Sequence, residues 1–301
     1  MIALARRKGV KHVLLNTNGL NFLRRPDLVP ALAQFQEGFE VYLQFDGVSD
    51  PAYEQLRGRP LLDQKLQVLE LLSQAKVPVT LVMSVAAGVN DHEVGAVVVK
   101  ALQTPYVRGV NLQPLAYFGR IPEDRCERLE RATLSGIIRR LEAQMKQMIR
   151  PEHLVPLPCD VDRVAIGYFH KRADGSFTPM VTRRDVLANL HQVRNTLRFS
   201  PEEFVAAIPT SMCSGSTCCG GLGGMLAKYF SQSFFSANTT AERARLVSET
   251  TFRVSITSFV DAYNFDLRSC QRECVHVITP ELRKIPFSAY NLYHRQQART
   301  T

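Results

Sequence analysis

The sequence predicts an α/β protein built around a parallel sheet, and two features of its first 120 residues predict it. Short apolar runs rich in Val and Leu recur along this part, and each is separated from the next by a segment with apolar residues at three- and four-residue spacing. The runs begin about 30 to 40 residues apart, which is the length of a βαβ unit. We therefore expect parallel strands joined by right-handed helical crossovers.

The predicted strands lie at residues 12–15, 40–45, 79–85 and 107–112. Their composition is typical of strands that are buried on both faces. The predicted helices between them lie at residues 27–35, 62–75 and 92–102. The second helix has the clearest apolar stripe, formed by Leu66, Leu69 and Leu72 with Val68 beside it.

The pattern changes after residue 120. A basic amphipathic helix is predicted at 129–149, several prolines follow it, and the turn sequence ADGS predicts a hairpin within 167–181. Helical or mixed structure is predicted at 202–208, 241–249 and 252–263. The predicted organisation is therefore a first domain at 1–120, a connecting helix at 121–150 and a Cys-containing domain at 151–301.

Composition excludes several classes of protein. The 301 residues are 45% hydrophobic and 22% charged, as in an ordinary globular protein. No apolar run reaches the roughly 18 to 20 residues that cross a bilayer, and no secretory apolar region follows the N-terminus, so we expect a cytoplasmic protein without a transmembrane segment. The net charge of +9 fits an anionic ligand or simple solubility, and no nucleic-acid module is recognisable.

Polar side chains follow each of the four predicted strands. Ligands of parallel α/β proteins bind at the carboxyl ends of the strands, so a site for a polar small molecule is expected there. The candidate residues are Thr17, Asn18, Gly19, Gln44, Asp46, Ser84, Asn90 and Gln113. Each of them alone is also explained by turn formation, and for Asp46 the two interpretations have equal weight.

The same strand endings resemble a known family. NTNG at 16–19, LQFDG at 43–47 and NLQPLAYFGR at 111–120 are similar to the later half of a radical S-adenosylmethionine (radical SAM) barrel. YNFD at 263–266, CVH at 274–276 and IPF at 285–287 resemble the C-terminal signature of one branch. That branch includes the archaeal tetraether lipid synthases and the radical SAM methyltransferases that act on methanogen pterins.

The resemblance implies a partial radical SAM (β/α) barrel, from its third strand onward, followed by a C-terminal α+β domain. It also implies S-adenosylmethionine as cofactor, with Thr17, Asn18 and Gly19 on the cofactor side of the barrel. Gln44 and Asp46 would contact the ribose hydroxyls, Ser84 and Asn90 would extend that contact, and Gln113 would close the adenine side. The family's CxxxCxxC loop, which holds a four-iron four-sulfur cluster, does not occur in this sequence, and we expect an N-terminally truncated or decayed member.

Cysteines late in the sequence are candidate metal ligands. Cys270 and Cys274 have ligand spacing with His276 close by, and a Gly/Ser-rich loop carries Cys213, Cys218 and Cys219. The resemblance implies Cys274 and Cys159 as ligands of an auxiliary iron–sulfur cluster. Ser288 stands where that family has a further Cys, so Cys270 or the loop would have to substitute. The alternative is that these thiols bind no metal, which is the preferred interpretation for Cys126.

By resemblance, the expected activity is reductive cleavage of S-adenosylmethionine and hydrogen abstraction that leads to methylation or carbon–carbon bond formation. The partners would be a small-molecule or lipid substrate and, in an active enzyme, an electron donor protein. The alternatives are a catalytically incompetent fragment that binds a nucleoside-like ligand and a metal-binding structural protein.

Overall fold

The computed structural model describes residues 1–35, 38–118, 131–158, 160–172, 175–188, 234 and 236–295. One mixed sheet forms its centre, with strand order β1-β2-β3-β4-β8-β6-β5 and with β7 paired to β6. The strands of this sheet are β1 (Val13–Thr17), β2 (Phe39–Gln44), β3 (Val79–Val85), β4 (Val107–Pro114), β5 (Val155–Leu157), β6 (Asp160–Lys171), β7 (Phe177–Pro179) and β8 (Thr251–Thr257).

Helices alternate with the first four strands, as the sequence predicts. The helices are α1 (Ile2–Arg7), α2 (Leu20–Arg24), α3 (Leu28–Ala33), α4 (Asp50–Arg57), α5 (Leu62–Gln74), α6 (Val94–Gln103), α7 (Leu134–Gln144), α8 (Arg183–Ala188), α9 (Thr240–Thr250), α10 (Leu267–Arg272) and α11 (Phe287–Ala289). A π-helical turn at Tyr290–His294 follows the last helix. The predicted helix at 129–149 is shorter in the described residues, where it corresponds to α7.

Parallel pairing extends from β1 through β4 to β8. Strand β6 then adds to β8 in the antiparallel sense, and the predicted hairpin is formed by β6 and β7. This mostly parallel sheet with helical crossovers confirms the α/β class and is compatible with part of an α/β barrel. A separate two-stranded sheet pairs β9 (His276–Ile278) with β10 (Lys284–Pro286).

The prediction of helical or mixed structure at 252–263 was wrong in part, because Thr251–Thr257 is a strand in the middle of the sheet. Its alternating sequence TFRVSIT buries Phe252, Val254 and Ile256 on one face. That two-residue period is the signature of a strand. The predicted division at 121–150 stays a prediction, and the hydrogen-bonded sheet crosses it through the β4–β8 pair.

The hydrophobic core lies between one face of the sheet and the helices. Alternate strand residues such as Val41, Leu81, Leu112 and Val254 are fully buried there. They pack with the apolar stripes of α5, α6 and α7. Within the described ranges, no helix has the length and apolarity that a membrane span requires.

Candidate functional site

The face of the sheet that lies opposite the hydrophobic core is polar, although most of its residues have little solvent exposure. The intervening residues of β2, β3, β4 and β8 point there because successive side chains of a strand alternate between faces. We call this surface the polar face; it comprises Glu40, Tyr42, Gln44, Thr80, Val82, Ser84, Gly109, Asn111, Gln113, Arg253, Ser255 and Thr257. The prediction that these strands are buried on both faces is confirmed for most positions of β2, β3 and β4, although the second face carries polar side chains.

Strand register arranges the polar face in rows. Gln44 lies beside Val82, which lies beside Asn111. The next row toward the carboxyl ends of the strands places Ser84 beside Gln113. Residues predicted from different strands therefore come together at one edge of the sheet, where parallel α/β proteins bind ligands.

Asp46 lies just beyond the end of β2 and is 1% exposed. Its Oδ1 accepts from the Ser84 backbone N–H at 3.0 Å, and its Oδ2 accepts from Arg57 Nε at 2.8 Å. The same guanidinium donates through Nη2 to Ser84 Oγ at 3.3 Å. Asp46 therefore joins the end of β2 to β3 and α4, and its carboxylate is engaged within the protein.

Asn90 fixes the loop that follows β3 and is fully buried. Its Nδ2 donates to the backbone carbonyls of Asp46 and Ser84 at 2.7 and 2.8 Å, and its Oδ1 accepts from the Ala86 N–H at 2.8 Å. Both amide protons and the carbonyl of this side chain thus have protein partners. This geometry makes Asn90 a positioning residue, and its predicted contact with a ligand stays a prediction.

Two further buried groups hold the same loops. Glu93 accepts from the Val48 N–H at 2.6 Å and from the Ser49 hydroxyl. Tyr53 is fully buried and donates to the Gly47 carbonyl at 3.1 Å. Burial, with a smaller contribution from the nearby Asp46 carboxylate, raises the pKa of Tyr53 above its ordinary value, so this hydroxyl stays protonated.

The NTNG segment forms a tight turn at the end of β1. Thr17 Oγ1 accepts from the Gly19 N–H at 3.0 Å, and Asn18 Oδ1 accepts from the Leu20 N–H at 3.1 Å. Gly19 has φ of 77°, and a Cβ there would lie 2.6 and 2.7 Å from side-chain carbons of Leu43 and Val68. The turn therefore requires glycine both for its conformation and for space.

Lys65, which the sequence reasoning did not select, reaches this turn from α5. It is 2% exposed, and its Nζ donates to the Asn18 carbonyl at 2.6 Å. Burial lowers the pKa of Lys65 to about 8, with Arg57 acting in the same direction and Asp46 opposing it. The apolar stripe that predicts α5 does not indicate that Lys65 is buried, because a Lys beside such a stripe usually lies on the solvated face of a helix.

Gln44 and Gln113 differ from the engaged residues. Both side chains are partly exposed on the polar face, and neither amide has a hydrogen-bond partner among the residues that the structure describes. Two amides on adjacent rows, with donors and acceptors unengaged, are suited to bind a polar ligand. They are the predicted site residues whose surroundings best fit direct ligand contact.

The polar face ends in a buried ion pair at the amino-terminal side of the strands. Arg253 Nη2 donates to Glu40 Oε2 at 3.2 Å and to Thr80 Oγ1 at 3.0 Å. Arg253 lies on β8 beside Gly109 of β4, and its side chain extends past β4 to reach these partners. A Cβ added at Gly109 would overlap the Arg253 carbonyl oxygen. The sequence reasoning missed these residues, but the alternation of Glu40, Tyr42 and Gln44 with apolar residues was a signal for them.

A second set of contacts lies at the carboxyl ends of β4 and β8. The fully buried Asp261 pairs with Arg131 and accepts from the backbone N–H groups of Tyr117 and Tyr263 at 2.7 and 2.9 Å. Burial alone would raise the pKa of Asp261, but Arg131 and these donors lower it overall. Tyr117 and Tyr263 also make an edge-to-face contact, so the C-terminal segment adjoins this edge of the sheet.

The predicted metal ligands have no shared site in the described part of the chain. Cys270 is buried, and its pKa is raised by burial and by Glu273. Cys274 Sγ lies 3.8 Å from the Arg272 carbonyl oxygen. No three His, Cys, Asp or Glu side chains among the described residues are grouped to hold a metal. Cys126, Cys159, Cys213, Cys218 and Cys219 lie outside the described residues.

Ser288 has a different role from that of a metal-binding thiolate. It is fully buried, its Oγ accepts from the Val260 N–H at 3.0 Å, and the same hydroxyl donates to Glu273 Oε1 at 3.1 Å. The Ser288 N–H also donates to Glu273, at 3.0 Å from Oε2. The described residues around Ser288 therefore fit a hydrogen-bonded anchor and do not fit an iron–sulfur cluster.

Comparison with known proteins gives one informative relative. No protein-family model matches the chain. The chain is 29% identical to 7,8-dihydro-6-hydroxymethylpterin dimethyltransferase of Methanocaldococcus jannaschii over 337 residues, an alignment that covers 99% of this chain and 64% of that protein. The chain therefore spans less than two thirds of the length of this curated relative, which by name transfers methyl groups to a pterin.

Proposed function

We propose that this chain is a radical SAM type of protein that binds S-adenosylmethionine and takes part in methyl transfer to a pterin-class small molecule. The motifs at the strand ends and the similarity to a pterin dimethyltransferase along almost the whole chain support this function. The observation that carries it is the pair of amides of Gln44 and Gln113 on adjacent rows of the polar face, which have no hydrogen-bond partner among the described residues. The relative's name favours methylation over carbon–carbon coupling and a pterin over a lipid.

The residues have two kinds of role in this proposal. Gln113 contacts the adenine edge, and Gln44 contacts the ribose hydroxyls, since an amide supplies both donors and an acceptor. Asp46 and Asn90 hold the ends of β2 and β3 at a fixed distance, so that the two glutamines keep their separation. Bound S-adenosylmethionine would supply the 5′-deoxyadenosyl radical that the resembled family uses, formed by reductive cleavage with an electron from a separate donor protein.

An iron–sulfur cluster requires thiolate ligands close together in space. The described residues do not fit this requirement, because no group of three metal-ligating side chains occurs among them. We therefore assign no electron-transfer step to these residues. The roles above concern binding and orientation alone.

Equilibrium dialysis with radiolabelled S-adenosylmethionine tests the proposal on the 301-residue chain. Gln113→Ala and Gln44→Ala should each weaken binding about tenfold, the effect of one or two lost hydrogen bonds to a ligand. Gln67→Ala is the matched control, because that amide donates to Asp63 at 2.7 Å on an exposed face of α5. Absence of binding, or equal affinity in all variants, would remove S-adenosylmethionine from the polar face.

A further inference from the structure

Asn111 lies on the polar face in the same row as Gln44 and Ser255. It is 5% exposed and occupies β4, one row closer to the amino-terminal ends of the strands than Gln113. A step of two residues along a strand is about 7 Å, so Asn111 is farther from the rim than Gln113, one of the two residues assigned to S-adenosylmethionine. The contacts proposed for S-adenosylmethionine do not include the Asn111 side chain.

Two hydroxyl groups contact the oxygen of the Asn111 amide. Its Oδ1 accepts from Ser255 Oγ at 3.0 Å and from Thr257 Oγ1 at 3.1 Å, and both hydroxyls come from the adjacent strand β8. These two donors occupy the two lone pairs of the carbonyl oxygen. Among the described residues no acceptor lies within hydrogen-bond distance of Nδ2, so the N–H groups are the part of the amide left for a ligand.

The residue that separates Asn111 from Gln44 in this row is apolar. Val82 lies between Gln44 and Asn111 in the row and is 3% exposed. Strands two apart in a sheet are about 10 Å apart, so the backbones of Gln44 and Asn111 are separated by about this distance. A nearly buried N–H donor is costly to leave without an acceptor, which makes such a group a strong determinant of specificity.

We propose that Asn111 is a specificity-determining residue that donates through Nδ2 to the ring carbonyl of a pterin-class lactam bound on the polar face. This inference rests on the function proposed above and deepens it. A carbonyl is the natural acceptor for an amide N–H, and the adenine ring of S-adenosylmethionine has no carbonyl. The proposal therefore separates substrate recognition at Asn111 from cofactor recognition at Gln44 and Gln113.

Binding of 6-hydroxymethylpterin to the full chain, followed by its own fluorescence, tests the inference. Asn111→Ala should weaken pterin binding about tenfold and change S-adenosylmethionine affinity by less than about twofold. Asn238→Ala, an exposed position before α9, should change neither affinity. A 2,4-diaminopteridine, which lacks the ring carbonyl, should bind wild type and Asn111→Ala equally.

A second variant keeps the test decisive where Asn111→Ala does not fold. Asn111→Asp preserves the shape and both hydroxyl contacts but replaces the N–H donor by an acceptor, and it should lose pterin binding at least as strongly. Unchanged pterin affinity in a folded Asn111 variant, or no pterin binding by wild type, overturns the inference even where S-adenosylmethionine binds. Weakened S-adenosylmethionine binding with unchanged pterin binding also overturns it. Failure of wild type to bind S-adenosylmethionine contradicts the proposed function instead.

Discussion

Individual residues of the candidate site divide by their hydrogen-bond partners. Asp46 and Asn90 are engaged with backbone groups of neighbouring strand ends, whereas the Gln44 and Gln113 amides on the polar face have no partner within the part of the chain that the structure describes. All of these residues are polar and follow strands, so the sequence alone gives no means to separate them. The distinction arises because loop residues of one strand fold back onto the end of the next.

The buried Asp46 carboxylate stabilises the loops at the ends of β2 and β3. Asp46→Asn should lower the free energy of unfolding by about 2 kcal/mol, because a charged hydrogen bond to Arg57 is lost. Urea unfolding measures this change. Asp27→Asn is the control, since Asp27 pairs with Arg25 in an exposed salt bridge and should show no measurable change. Equal shifts in the two variants would contradict the assigned role.

Lys65 gives a prediction for the dependence of stability on pH. The folded pKa is about 8 and the ordinary value is 10.5, so between these values the unfolded chain binds more protons at Lys65 and stability rises with pH. The gain across this window is about 3 kcal/mol at most. It should appear as the difference in unfolding free energy between wild type and Lys65→Met, measured at pH 7.5 and at about pH 10.

The exposed Lys8 supplies the control for this pH experiment. The difference between wild type and Lys8→Met should stay constant across the same range. A Lys65→Met difference that is equally flat would mean that Lys65 is not held in a desolvating environment.

At the scale of elements, β4 and β8 depend on a glycine at their contact. Gly109 faces Arg253, and a methyl group there would overlap the Arg253 backbone. Gly109→Ala should therefore destabilise the protein by about 3 kcal/mol in urea unfolding, because backbone atoms relax less easily than side chains. Gly58→Ala is the comparison: its φ is 77° but the space around it is open, so about 1 kcal/mol is expected. A smaller effect at Gly109 than at Gly58 would contradict this packing.

The sequence predicts the elements with local periodicity and misses those set by distant partners. Strands β1 to β4 and helix α5 follow from runs of Val and Leu and from the stripe at Leu66, Leu69 and Leu72. Strand β8 was predicted as helical or mixed, because its place in the sheet depends on pairing with β4 more than 140 residues earlier. The contacts of Asn111 and Arg253 were missed for the same reason, since their partners lie on strands that are remote in sequence.

At the scale of the whole molecule, the central sheet joins parts of the chain that the sequence assigns to different domains. Glu40 and Arg253 meet across four strands of this sheet. Native-state hydrogen exchange should therefore give the backbone amides of Leu81, Leu112 and Ile256 a common free energy of opening. A much lower opening free energy for Ile256 would mean that β8 unfolds separately, and it would favour a domain boundary within 121–150.

The most direct test of the account is where S-adenosylmethionine binds on the chain. Side-chain amide resonances of Gln44 and Gln113, assigned by nuclear magnetic resonance, should shift on addition of S-adenosylmethionine. Those of Gln67 and Gln74, which donate to Asp63 and Glu70 on exposed helix positions, should stay in place. Shifts confined to residues away from the polar face, or no shifts at saturating cofactor, would contradict the central claim.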